Sequence, residues 1–221
     1  MIARDLITDT LIPLKTSDTG AAAMAMMDEY RVSHLPIVNN TDFLGVISDT
    51  DIFNLNAFDD PIGNHRLSLS GAYVRENQPV YDVIQTFATM KLSLMPVLDE
   101  KNQYLGVITM AKLVHHLSQI TSIDTHGGII VLEINDKDYS LAHLSQIIES
   151  NDAKVLSAYI TSFPDSTRLE VTLKTNRMEL GPILQTLNRF GYEVKASYTS
   201  EDAYSETLQE RFDSLMTYLN I

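Results

Sequence analysis

Leu44-Gly45-Val46-Ile47-Ser48-Asp49-Thr50-Asp51-Ile52 opens as an apolar run and continues past a hydroxyl as short acidic sequence. It reads as a buried strand turning directly into a helix, with Ser48 at the joint. The pattern returns as Leu105-Gly106-Val107-Ile108-Thr109-Met110-Ala111-Lys112-Leu113, an offset of 61, with Thr109 at the joint. Just upstream, Ser33-His34-Leu35-Pro36-Ile37-Val38 aligns with Ser93-Leu94-Met95-Pro96-Val97-Leu98 at an offset of 60, so one residue has been inserted between the two short strands. Asn39-Asn40-Thr41-Asp42 and Asp99-Glu100-Lys101-Asn102 supply turn chemistry between them. A helix is predicted before each pair, over Gly20 to Tyr30 and over Val80 to Met90, with Pro79 suited to the start of the second. Each copy thus reads helix, strand, turn, strand, helix. Neither is large enough to bury its apolar face alone, so the two are expected to pack together.

The pattern changes after the second copy. Ser118 to His126 reads as a connecting stretch, with the linker itself at 121–127 and Gly127-Gly128 closing it. Strands are predicted at Ile129 to Ile134, Val155 to Phe163, Leu169 to Leu173 and Tyr192 to Tyr198. Helices fall between them at Leu141 to Ser150 and Glu179 to Phe190, the latter ended by Gly191. The order is βαββαβ, a ferredoxin-like plait. A tail over 199–221 is predicted as one helix from Ser200, with Tyr204, Leu208, Phe212, Leu215 and Leu219 on one stripe. That stripe needs a cover, either the C-terminal domain or a second subunit.

Composition narrows the function. The 221 residues are 44% apolar, enough for a formed core. A net charge of -13 without a Lys/Arg cluster argues against nucleic acid and anionic membranes as partners. Cysteine is absent, which excludes a disulfide scaffold and a thiol nucleophile. Cytoplasmic residence is the simplest expectation, because neither a signal sequence nor a spanning apolar run is visible. The motifs of hydrolases, P-loops and zinc peptidases are missing. His115 and His116 are adjacent and diverge on a helix, so no metal site is expected there. The chain is read as non-catalytic, with no cofactor.

The duplicated motif resembles the cystathionine β-synthase (CBS) domain, carried by Val32 to Val38 and Gly45 to Asp51, and again by Leu92 to Leu98 and Gly106 to Thr109. Two such copies resemble the CBS pair, or Bateman module, over roughly residues 1 to 120. The resemblance implies an α+β fold of two βαββα-type repeats about a pseudo-twofold axis, at 1–60 and 61–120. It also implies homodimerisation and regulation of a partner protein by a ligand such as AMP, ATP or S-adenosylmethionine. The family places a Ser/Thr at the joint and, three residues on, an Asp that accepts the ribose hydroxyls. Ser48 and Asp51 fit this pattern in full. Thr109 fits in the second copy, but Lys112 stands at the Asp position, and an ammonium has no acceptor to offer. Ser-x-x-Asp is equally a helix-capping pattern, and both readings stay open.

His34 sits where family members carry a basic residue toward the phosphates, with Arg31 and Lys91 close by in the two copies. Leu11, Ile12 and Pro13 are candidates for an apolar adenine wall, and Pro36 lies in the strand beside the joint. Residues 128–198 resemble an ACT domain, whose amino-acid loop aligns with Asp136-Lys137-Asp138-Tyr139-Ser140-Leu141. Asp138 and Tyr139 replace the Pro and Gly of that loop, which speaks against close approach of a ligand. A CBS pair followed by an ACT-like domain is similar to the AcuB-type acetoin-utilisation accessory proteins. The alternatives to an adenosine sensor are a ligand-free dimerisation module and an amino-acid sensor acting through the ACT-like domain.

Overall fold

The computed structural model describes residues 1–8, 10–55, 58–65 and 71–199. The helix predicted for the tail lies outside them. The chain forms two compact units, Met1–His116 and Leu117–Ile221.

In the first unit the sequence repeat becomes a structural one. Helix α1 (Gly20–Tyr30) leads into strands β1 (His34–Asn39) and β2 (Asp42–Ser48) and helix α2 (Asp49–Leu55). The second copy runs β3 (Val74–Arg75), α3 (Val80–Met90), β4 (Leu94–Leu98), β5 (Tyr104–Thr109) and α4 (Met110–Ile120). Both predicted helices stand where they were expected. Helix α4 takes in Ser118 to Ile120, residues expected to begin the connection.

Strands β1 and β2 pair antiparallel, and so do β4 and β5. Each pair slips register at the same place, after Ile37 and after Val97. Opposite those residues stand Gly45 and Gly106, at φ 151 and 146. This is backbone that suits glycine, so the glycine of each motif makes the slip possible. Beside each hairpin lies a parallel partner, β3 against β4 and the single bridge Leu14 to Ile37 against β1. One apolar cluster contains Leu35, Ile37 and Ile47 from the first copy with Leu94 and Val107 from the second. The two copies therefore share a core, as their size demanded.

The copies also exchange their entry segments. Ahead of the first copy, the amides of Ala3 and Arg4 donate to the carbonyls of Gln78 and Glu76 in the second. Thr8 bridges to Val107 on β5. Ahead of the second copy, Ile62 and Gly63 donate in the same way to Asp18 and Thr16 in the first.

The second unit is the predicted plait. Its strands β6 (Ile129–Asn135), β7 (Val155–Ser162), β8 (Arg168–Thr175) and β9 (Glu193–Tyr198) form one sheet in the order β7-β8-β6-β9, every neighbour antiparallel. Helices α5 (Leu141–Glu149) and α6 (Gly181–Arg189) make the two crossovers. Alternation puts Ile130, Leu132, Ile134, Val171 and Leu173 on one face, packed with Leu144, Ile147, Ile183 and Leu187 of the helices. Helix α6 starts two residues later than predicted, at Gly181, with Pro182 in its first turn.

Candidate functional site

The first joint folds as the motif predicts. Ser48 ends β2 and stands at the start of α2, half-buried. Its Oγ accepts from the Asp51 amide at 3.0 Å and donates to Asp51 Oδ2 at 2.7 Å. The Ser48 amide donates to the same carboxylate oxygen at 2.9 Å. This is the reciprocal box that satisfies the first free donors of a helix. The carboxylate singled out as a sugar acceptor is thus already engaged in capping. Helix α2 has seven residues, with Asp49 and Asp51 both in its first turn. Those carboxylates already complement the positive helix end, so the joint favours hydrogen-bond donors such as hydroxyls over a phosphate.

The second joint keeps half of this arrangement. Thr109 ends β5, and its hydroxyl accepts from the Lys112 amide at 3.2 Å. Lys112 returns no carboxylate, and the first turn of α4 holds no acidic residue. The two joints share a backbone and differ in charge.

His34 lies beside the first joint, opposite Ser48 across the β1–β2 pair. Its Nδ1 is contacted from both copies: the Ser93 amide donates to it at 3.3 Å, and the hydroxyls of Ser33 and Ser93 lie at 3.0 and 3.1 Å. Burial pushes its pKa below the ordinary histidine value, and Asp49 and Asp51 oppose that shift without cancelling it. Burial thus disfavours the charged ring, and a neutral imidazole is a weak partner for phosphates. Arg31 and Lys91 cap α1 and α3 in left-handed backbone, at φ 54 and 53, with exposed side chains. Of the apolar candidates, Leu11 is buried in the core, Pro13 is half-buried and Ile12 is 65% exposed. Pro36 is buried in β1 opposite Val46, and its carbonyl accepts from Leu14.

In the second unit the aligned amino-acid loop is closed by the protein itself. Asp136–Asp138 form a 3-10 turn, and Asn135 Oδ1 accepts from the Lys137 amide at 3.2 Å. Tyr139 packs against the plait core, and Ser140 caps α5. Beside the loop opens a cleft of about 450 Å³, lined by Glu133, Asp138, His143, Arg168 and Tyr192 among others. His143 Nδ1 lies 2.7 Å from the Tyr192 hydroxyl, and the Arg168 guanidinium is paired with Glu133 and Glu193.

Residues 3–57 and 70–119 match the CBS domain, once in each copy. The first unit is a CBS-domain pair. Such pairs are regulatory ligand-binding modules. Among curated relatives, the inosine-5'-monophosphate dehydrogenase of Methanocaldococcus jannaschii is 24% identical over 111 residues, 49% of this chain and 22% of that enzyme. The chain thus spans under a quarter of that relative. Similar solved structures include a CBS pair/ACT domain protein from Thermotoga maritima, 20% identical with a TM-score of 0.49, covering 54% of this chain and 98% of that one. CBSX2 in complex with AMP is 23% identical with a TM-score of 0.48, covering 54% and 97%. The AcuB protein of Vibrio cholerae is 20% identical with a TM-score of 0.48, covering 56% and 95%. Among the described residues no helix is long and apolar enough to cross a membrane. Within the CBS pair, the sequence reading passed over Ser33 and Ser93. Their equivalence in the repeat was the available signal, since identical polar residues near a pseudo-twofold axis are placed to meet.

Proposed function

We propose that the chain is a regulatory sensor whose CBS pair takes an adenosine-containing ligand, AMP, ATP or S-adenosylmethionine, at the joint of Ser48 and Asp51. The observation that carries this reading is the 2.7 Å pairing of a hydroxyl and a carboxylate at a half-buried strand end. A ribose diol offers two donors where Ser48 now offers its hydroxyl and its amide, so the sugar replaces the internal bonds of the cap. AMP in the CBSX2 complex supports the same ligand class for this domain pair. Thr109 and Lys112 give the second joint no diol acceptor, so one ligand per pair is expected. The pair homodimerises, and the ACT-like plait passes the bound state to a partner protein. The ligand shifts the arrangement only through its differential affinity.

Titration calorimetry of the three ligands against wild type and Asp51→Asn tests this. Asparagine keeps an acceptor for the cap but withdraws the negative charge, so binding weakens while the fold stays. Heat from none of the three ligands would remove the adenosine claim. A ligand-free structural module is the second reading, favoured by a cap that is complete without any ligand.

A further inference from the structure

The two copies meet at a joint that breaks their symmetry. Ser33 and Ser93 stand at equivalent positions, just ahead of β1 and β4. A symmetric joint would hold two reciprocal bonds, each serine amide donating to the other's hydroxyl. One of them is present, from the Ser33 amide to Ser93 Oγ at 3.1 Å. On the other side the Ser93 amide donates to His34 Nδ1 instead. The residue equivalent to His34 in the second copy is Leu94, which is fully buried. A titratable ring has thus taken over one half of the joint.

The Ser93 amide bears on the ring's protonation. With that N–H aimed at Nδ1, and the Ser33 and Ser93 hydroxyls beside it able to donate as well, the surroundings favour the neutral ring with its proton on Nε2. Adding a second proton would set N–H against N–H and break the Ser93 bond. The charged groups that act on the ring are Asp49 and Asp51 from α2, both of which favour its protonated form. The second copy faces it with Ser93, and the residue just ahead of β1, Ser33, faces it from the first.

We propose that His34 is a proton-operated latch between the two CBS copies: neutral, it holds the Ser93 amide, and protonated, it releases that amide and pairs with the Asp49 and Asp51 carboxylates. This concerns the joint between the copies, and it stands whether or not the neighbouring site takes a nucleotide. Burial holds the His34 pKa below the ordinary value of 6.5. The contribution of the neutral ring is therefore complete above that value and is withdrawn as pH falls through the window beneath it.

Amide hydrogen exchange on the full chain, corrected for intrinsic rates, tests the latch between about pH 7.5 and about pH 5. His34→Asn is the comparison, because asparagine offers an acceptor and does not titrate. The Ser93 amide is expected to lose protection on acidification in wild type and to keep it in His34→Asn. Equal pH profiles for the two proteins would overturn the latch. If the variant fails to fold, nitrogen-15 spectra of the wild-type imidazole decide. A proton on Nε2 at neutral pH with a midpoint below the ordinary value supports the latch. A proton on Nδ1, or a midpoint at or above that value, overturns it.

Discussion

The two strand-to-helix joints of the CBS pair share a backbone and part company in chemistry. The first is closed by a serine and a carboxylate that cap each other, with a second carboxylate in the same turn. The second keeps the hydroxyl, loses the acid and gains Lys112. Duplication supplied two equal frames, and the exchanges of Asp49 for Met110 and of Asp51 for Lys112 made them unequal in charge. The first joint suits a donor-rich sugar. The second has the sign that an anion prefers, although a helix end alone does not make a site.

Three substitutions test how deep the equality of the frames goes. The largest effect is expected for Gly106→Ala. A Cβ there would come within 2.6 Å of Ile7 Cγ2 in left-handed backbone. Strain and overpacking together should cost about 3 kcal/mol, read as a lower thermal midpoint and urea midpoint. A cost below about 1 kcal/mol would mean that the entry segment yields easily. Next comes Asp51→Ala, which removes the carboxylate half of the box and should cost about 1 kcal/mol before any ligand is added. Its equivalent, Lys112→Asp, is expected to stabilise by about 0.5 kcal/mol, because an acid in the first turn restores the missing half of the cap. If Lys112→Asp destabilises instead, Lys112 holds a role in the second joint that the cap comparison does not describe.

The repeat was legible in the sequence because it is written twice. The offsets of 60 and 61 placed both hairpins and both leading helices, and the inserted residue fell in the turn, where β1 and β2 close tightly and β4 and β5 do not. The plait was legible because β6 alternates cleanly and α6 gives way to Gly191. The ends of α1 and α3 fell at the predicted residues, with Arg31 and Lys91 adopting the left-handed cap that glycine or asparagine usually takes. The site was half legible. Ser48 and Asp51 were singled out as candidates, but Ser-x-x-Asp encodes a cap and a sugar acceptor with the same atoms, so no reading of the letters separates them. The role of His34 was hidden because its partner, Ser93, lies 59 positions away. Only the meeting of the two copies brings them together.

The exchanged entry segments set a rule for how this half of the molecule comes into being. Thr8 pairs with Val107, so the flank of the later copy is built from residues synthesised ahead of the earlier one. Long-separated pairings of this kind slow the search for the native state. A ribosome that has finished one copy has therefore not finished a folding unit, and neither copy can be cut out as a miniature of the pair.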